Sequence, residues 1–320
     1  DPTWGVVATI RASCKEILEF AGHYLGLGAQ RVFIYLDEDE PTARSALKRH
    51  PNCRVIVTDD GYWKRRRKKR GRPDGHQFRQ SVNATHCYNR SPGVDWLLHA
   101  DVDEFLVSTA PIAEHLATVP PTALSARVRP IEALQSDETD PPPEGYQWCK
   151  SFDPRQKVRR AQTAKIYPNF GLHLNGGFIS HVAGKVFVRT GQEEVSLRIH
   201  NAFQGGVKEA SPAELPGCQL VHLHAASWEE WWQRYRYRLT HGSYRPDLKA
   251  AAAYCTAAMT MHELLSQIEK EGGEEALRAF YDEVCVATPA LRQRLKRQGH
   301  LHDVRLDLAQ KRRKHFGEEA

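Results

Sequence analysis

The sequence predicts an α/β domain. Three observations predict it. Strand and helix patterns alternate from Trp4 to Thr58, a fourth apolar strand delivers the chain into Asp101-Val102-Asp103, and helical patterning takes over late in the chain.

Trp4 to Ile10 is a short apolar run of strand type. Lys15 to Leu27 then carries Ile17, Leu18, Ala21 and Leu25 at helical spacing and stops at Gly26 and Gly28. Arg31 to Leu36 is a second strand, ending at the acidic turn Asp37-Glu38-Asp39-Glu40. Pro41 suits the first turn of a helix from Thr42 to Arg49, and Cys53 to Thr58 is a third strand. Such alternation implies βαβ units around a parallel sheet. The basic run Lys64 to Arg70, flanked by Gly61, Gly71, Pro73 and Gly75, is assigned to a loop. From His76 to Asn89 the apolar spacing is again helical, and Val94 to His99 is the fourth strand.

Leu124 to Val128, Lys185 to Arg189, Ser196 to His200 and Gln219 to His224 read as further strands. Ser136 to Tyr146, with Pro141-Pro142-Pro143, reads as a surface loop. Ser227 with Glu230 makes a capping box for a helix that puts Trp228, Trp231, Trp232, Tyr235 and Leu239 on one side. Beyond Tyr244 the pattern is helical, over Leu248 to Lys270 and Glu274 to Val286, and the charged tail is expected to fray.

The bulk properties set limits. A chain of 320 residues with 41% apolar content packs a sizeable core. Its net charge of +6 is modest, so no nucleic-acid partner is expected, although the basic run points to an anionic or phosphate-bearing one. Seven scattered cysteines without a CxxC pair argue against a disulfide framework and a structural zinc site. Together with the lack of a signal-peptide pattern and of any apolar run near the length of a bilayer, they favour a cytoplasmic protein, at most peripheral to the inner membrane. The chain does not start with Met, which is read as a trimmed amino end.

Asp101 and Asp103 close an apolar strand, where two carboxylates are costly unless paired or metal-bound. In an open α/β sheet the carboxyl ends of the strands are also where ligands bind. Hard oxygen ligands suit Mn²⁺ or Mg²⁺ held together with substrate phosphates. His222 and His224 alternate with Val221 and Leu223 and share one strand face. Lys185 and Arg189 likewise share a face of their strand and are the cations expected to meet a phosphate.

The segment Trp-Leu-Leu-His-Ala-Asp-Val-Asp-Glu-Phe-Leu-Val, residues 96 to 107, resembles the DxDEF segment of bacterial family 2-like glycosyltransferases, which is shared with the family 92-type enzymes. The opening strand and helix, the acidic turn at Asp37 to Glu40, the Gln-led helix Gln77 to Asn89 and the His222 to Ser227 segment follow in the same order. The resemblance runs over roughly residues 3 to 245. It implies a GT-A fold, a mixed sheet flanked by helices, over 1–245, with a helical extension at 246–320. It also implies a nucleotide-sugar donor whose diphosphate bridges Mn²⁺ or Mg²⁺. Asp103 would be the main metal ligand, Asp101 would touch the metal or the donor ribose, and His224 or His222 would complete the metal. Thr9, Arg11 and Asp37 would hold the nucleoside. Many relatives carry an Asn-Glu pair after the first strand, where this chain has Arg11-Ala12-Ser13-Cys14-Lys15-Glu16.

Inversion at the sugar carbon needs a general base for the acceptor hydroxyl, and Glu132 is the first candidate, with Asp153 and His181 as rivals. The expected activity is transfer of a hexose to a glycan or glycolipid acceptor in bacterial cell-surface polysaccharide synthesis. The alternative is a metal-dependent phosphoryl-transfer enzyme or nuclease, which needs further acidic ligands converging on the site.

Overall fold

The computed structural model describes residues 1–248 and 259–318. In chain order the elements are β1 (Trp4–Ile10), α1 (Cys14–Gly26), β2 (Arg31–Leu36), α2 (Pro41–Arg49), β3 (Cys53–Val57), α3 (Asp60–Arg67), α4 (His76–Asn89), β4 (Trp96–His99), β5 (Glu104–Ser108), α5 (Ile112–Ala117) and β6 (Ser125–Ala133). There follow β7 (Tyr146–Lys150), α6 (Gln156–Ile166), β8 (Lys185–Arg189), β9 (Val195–Leu197), β10 (Ala202–Gln204), β11 (Val207–Lys208) and β12 (Ala213–His222). The chain closes with α7 (Trp228–Thr240), α8 (Met261–Cys285), α9 (Pro289–Arg297), β13 (Leu301–Arg305) and α10 (Leu308–Phe316). These elements form two compact units, and the division falls inside β6, after Pro130, and inside β12, after Leu220.

The first unit holds the described residues of Asp1–Pro130, Ala183–Leu220 and Leu306–Ala320. Its sheet carries β3, β2, β1 and β4 side by side and parallel, with β8 antiparallel on β4 and residues 125–128 of β6 antiparallel on β8. The parallel half is what the alternating pattern predicts, and the antiparallel β8 and β6 make the sheet a mixed one. β1 is buried at every residue, which explains its unbroken apolar run. α1 starts where Ser13 and Glu16 cap each other: Glu16 N donates to Ser13 Oγ (3.3 Å) and Ser13 N to Glu16 Oε2 (2.9 Å). Its apolar stripe, including Ile17, Leu18, Ala21 and Leu25, is buried. The parallel register brings the ends of β1, β2 and β4 to one edge of the sheet. Thr9, Arg11, Asp37 and Asp101 all sit at that edge.

The second unit holds the described residues of Ile131–Val182 and Val221–Arg305. Here β7 pairs antiparallel with the end of β6 on one side and with β13 on the other. Its core is aromatic, with Trp231, Tyr235, Tyr244, Phe280 and Tyr281 all buried. Trp228, Trp231, Tyr235 and Leu239 form the buried face of α7, whose Ser227 Oγ accepts from Glu230 N (3.2 Å). α8 is broken at Gly273, where φ is +61°.

Three local expectations are corrected. The basic run is not a loop: residues 60–67 form α3, and Lys68–Arg70 a 3-10 turn. Asp59 starts the helix by accepting from Tyr62 N (2.6 Å), and the buried Tyr62 and Trp63 anchor it against the unit's core. The tail does not fray over Leu308–Phe316, because α10 packs on α1 so closely that a Cβ on Gly22 would lie 3.0 Å from the Arg312 backbone. Glu132 lies inside β6 rather than after it. Of the helix expected over Leu248 to Lys270, residues 249–258 lie outside the described residues, and the rest enters α8 at Met261. The described cysteines are free thiols.

Candidate active site

The edge of the first unit gathers a buried ionic cluster. The backbone turns from β4 into β5 through a reciprocal pair of bonds. Glu104 N donates to Asp101 O (3.0 Å), and Asp101 N donates to Glu104 Oε2 (2.8 Å). Glu104 thus closes the turn that carries both aspartates. Lys185, at the start of β8, has a fully buried side chain and donates to Asp101 Oδ2 (2.8 Å), with Glu104 Oε2 at 3.3 Å. The Gln80 amide of α4 donates to Asp101 Oδ1. Burial by itself would raise the Asp101 pKa. The Lys185 charge beside it outweighs burial and holds the carboxyl well below the usual range. The two carboxylates in turn push the Lys185 pKa up against the effect of burial, so the ammonium persists. Removing one member of such a buried set typically costs about 3–5 kcal/mol, because the others are left uncompensated.

Asp103 sits at the same turn, half-buried, two residues beyond Asp101. His99, the last residue of β4, is buried; burial and the neighbouring Lys185 lower its pKa to about 4, so it is neutral at physiological pH. Its Nδ1 lies 3.4 Å from Arg198 O.

The nucleoside candidates lie along the same edge, but are engaged differently. Asp37 has a fully buried carboxylate gripped by Arg79 (Nε to Oδ1 3.0 Å, NH2 to Oδ2 2.8 Å) and approached by Arg72 NH2 at 3.2 Å. Burial opposes ionisation there, and hydrogen bonds from His76 and Arg79 override it, keeping the carboxyl well below its ordinary range. Thr9 Oγ1 accepts from Asn83 Nδ2 (3.0 Å), and Asn83 Oδ1 accepts from Tyr62 OH (2.7 Å). Arg11 is exposed and paired with Glu38 at 2.7 Å. Arg189 is not brought to this edge. β8 runs antiparallel to β4, so Arg189 pairs with Trp96 at the opposite end. Its guanidinium lies over the Trp96 ring (4.3 Å) and donates to Ala123 O and Pro120 O.

The second unit carries the histidines and the base candidates. His222 ends β12 and His224 follows two residues later, their ring centroids 5.0 Å apart. Burial, reinforced by the charge of Arg238, drives the His224 pKa well below its ordinary value. A neutral imidazole is the form that binds a metal. His224 Nε2 lies 2.8 Å from Tyr244 OH, Tyr244 OH accepts from Trp231 Nε1 (3.1 Å), and Arg238 NH2 donates to His224 O (2.9 Å). In the tautomer whose Nε2–H donates to Tyr244, Nδ1 is the nitrogen left to bind a metal. A pair of imidazoles suits Mn²⁺ chemically.

The base candidates separate clearly. Glu132 is buried and saturated: Lys150 Nζ lies 3.1 Å from Oε1, while Ile179 N (3.2 Å) and Ser180 N (2.8 Å) donate to it. Lys150 also donates to Gly177 O (2.7 Å) and Val284 O (2.6 Å), so the pair ties β6 and β7 to a loop and to α8. Asp153 binds Arg155, whose hydrogen bonds pull its carboxyl down to about 2. His181 is exposed, in the loop before β8. Gln80 and Tyr244 are the neighbours of Asp101 and His224 that the sequence did not single out. Gln80 and Tyr244 carry no sequence signal beyond helical spacing and proximity to the Trp-rich helix.

The profile of glycosyltransferase family 92 matches residues 7–245. The chain belongs to glycosyltransferase family 92. Every candidate site residue discussed above lies within that match. No curated protein matches the sequence. Among solved structures, HddC from Yersinia pseudotuberculosis is 8% identical with a TM-score of 0.28, over 43% of this chain and 66% of that one. The galactosyltransferase LgtC, solved with donor and acceptor sugar analogues, is 10% identical with a TM-score of 0.27, over 58% of this chain and 57% of its own. The family 92 chain therefore spans less than two thirds of either.

Proposed function

We propose that this family 92 protein moves a hexose from a nucleotide-sugar donor to a glycan or glycolipid acceptor, with inversion, in bacterial cell-surface polysaccharide synthesis. In this reading Asp103, with His224 and His222 as nitrogen ligands, would hold a divalent cation, Mn²⁺ or Mg²⁺, and the chemistry so supplied would be neutralisation of charge on the departing diphosphate. The observation that carries the reading is the cluster at the end of β4. Lys185, Gln80 and the turn itself occupy Asp101, so Asp101 positions the turn and the metal role passes to Asp103. Lys185 keeps this edge from accumulating negative charge before the donor arrives.

Thr9 and Asp37 line the nucleoside edge, with Arg79 and Arg72 fixing Asp37. Arg11 is assigned to the same edge. The acceptor base is assigned to His181, because Glu132 is committed to Lys150 and Asp153 is too weak a base. The protein is placed in the cytoplasm, peripheral to the inner membrane. No observation favours the phosphoryl-transfer alternative.

The test is a thermal-shift screen of UDP-, GDP-, CMP- and dTDP-sugars with and without Mn²⁺. One nucleotide sugar raises Tm only with the metal, and Asp103→Ala abolishes the shift. A screen in which no nucleotide sugar with Mn²⁺ moves Tm contradicts the reading.

A further inference from the structure

α3 and the turn after it form the most strongly basic element of the chain. Seven consecutive residues, Lys64 to Arg70, are Lys or Arg, and Arg72 follows. Such a run is usually a solvated loop. Here the structure makes it an ordered, presented surface. The helix is capped by Asp59 and anchored by the buried Tyr62 and Trp63. Its last turn carries Lys64 to Arg67, where cations complement the carbonyl end of the helix. Lys68 then adopts φ +50°, which ends the helix, and Arg67 NH1 fixes the reversal by donating to Gly71 O (3.0 Å).

Lys64, Arg65, Arg66, Lys68 and Arg70 are exposed. Among the described residues none of these five forms an ion pair, unlike Arg72, which turns back to Asp37. Beside them stands Phe78, in the first turn of α4, with 45% of its surface exposed and the Arg67 guanidinium 5.1 Å from its ring. A rigid cluster of unpaired cations around an exposed aromatic ring matches a surface that is anionic at its headgroups and apolar beneath them. A soluble polyanion would use the charges and leave Phe78 without a role. No helix among the described residues is long and apolar enough to cross a membrane.

We propose that Lys64, Arg65, Arg66, Lys68 and Arg70 with Phe78 form a docking surface for an anionic phospholipid bilayer. This deepens the peripheral placement given above by naming its surface, and it does not depend on the metal. Charge attraction brings α3 to the headgroups, and Phe78 enters the interface. Both contacts come from one short stretch of the first unit, so docking fixes the orientation of that unit on the membrane.

The experiment is co-sedimentation of the full chain with vesicles of phosphatidylcholine alone or mixed with phosphatidylglycerol, at low and high salt. The wild type sediments with the mixed vesicles only, and salt releases it. A variant combining Lys64→Glu, Arg65→Glu, Lys68→Glu and Arg70→Glu partitions at least about a hundredfold more weakly, from the loss of four cations. Phe78→Ser keeps every charge and weakens partitioning by roughly tenfold; because both sites are exposed, an unchanged circular dichroism spectrum verifies the fold. Equal sedimentation with neutral vesicles, undiminished binding by the charge-reversed variant, or binding to soluble polyphosphate without binding to vesicles overturns the proposal. A wild type that binds Mn²⁺ and a donor but ignores vesicles overturns docking alone. One that docks but binds no Mn²⁺ overturns the metal reading alone.

Discussion

Asp101 and Asp103 look equivalent in sequence and are not equivalent in the structure. A carboxylate at the end of a buried strand must find a cation, and Asp101 finds it within the protein, in Lys185. The pairing was half legible. Lys185 stands out as a basic residue opening an apolar strand, but its meeting with Asp101 depends on β8 running antiparallel to β4, which no local pattern encodes. Glu104 becomes intelligible for the same reason: its side chain reaches back to Asp101 N and closes the turn. Alternation placed both histidines on one strand, but β12 ends at His222 and His224 lies beyond it. The residue that holds His224 was not legible, since Tyr244 comes from twenty positions further on. The Tyr244 hydroxyl meets both His224 Nε2 and Trp231 Nε1, so it fixes the plane of the imidazole. Tyr244→Phe is therefore expected to weaken Mn²⁺ binding by about 10–100-fold, with the fold retained. Isothermal titration with Mn²⁺ checks this, and equal affinities in the two proteins would assign Tyr244 to packing alone.

Among elements, the parallel strands and the helices between them were read almost to the residue. Their signals are local: a capping serine, an apolar stripe, a stopping glycine. α3 and α10 were misread because polar composition masks how they are held. α3 depends on one cap and two aromatic residues, α10 on contacts with α1. At the latter contact His23 is fully buried, with Nε2–H donating to Leu106 O (2.7 Å) and Nδ1 facing Lys311 Nζ at 3.2 Å. Nδ1 therefore serves as an acceptor. Burial, with the Lys311 charge second, lowers the His23 pKa to about 3. The unfolded chain binds a proton on this histidine below about pH 6.5, and the folded chain refuses it until about pH 3. Stability is thus unaffected above about pH 6.5 and falls by about 1.4 kcal/mol per pH unit on acidification through that window. Denaturant titrations between pH 7 and 4 should show a shallower fall for His23→Gln than for the wild type. Parallel curves would place the acid sensitivity elsewhere.

At the scale of the molecule, each unit is assembled from separated stretches of chain. The second unit takes residues 131–182 and 221–305, and the first takes what precedes, intervenes and follows. Periodicity reports which face of an element is buried, not which distant element covers it, so this interleaving leaves no trace in local pattern. The family 92 match, over residues 7–245, spans the strand ends of the first unit that carry Asp101 and Asp103 as well as the histidines and base candidates of the second. Metal-dependent glycosyl transfer, as proposed for these residues, is tested by release of nucleoside diphosphate from UDP-, GDP- and dTDP-sugars by the purified chain, followed over time with Mn²⁺ and with a chelator. Slow release is expected from one sugar nucleotide with Mn²⁺, none with chelator, and a loss of at least about a hundredfold in Asp103→Ala. Release that persists with chelator, or that Asp103→Ala leaves unchanged, would contradict that proposal.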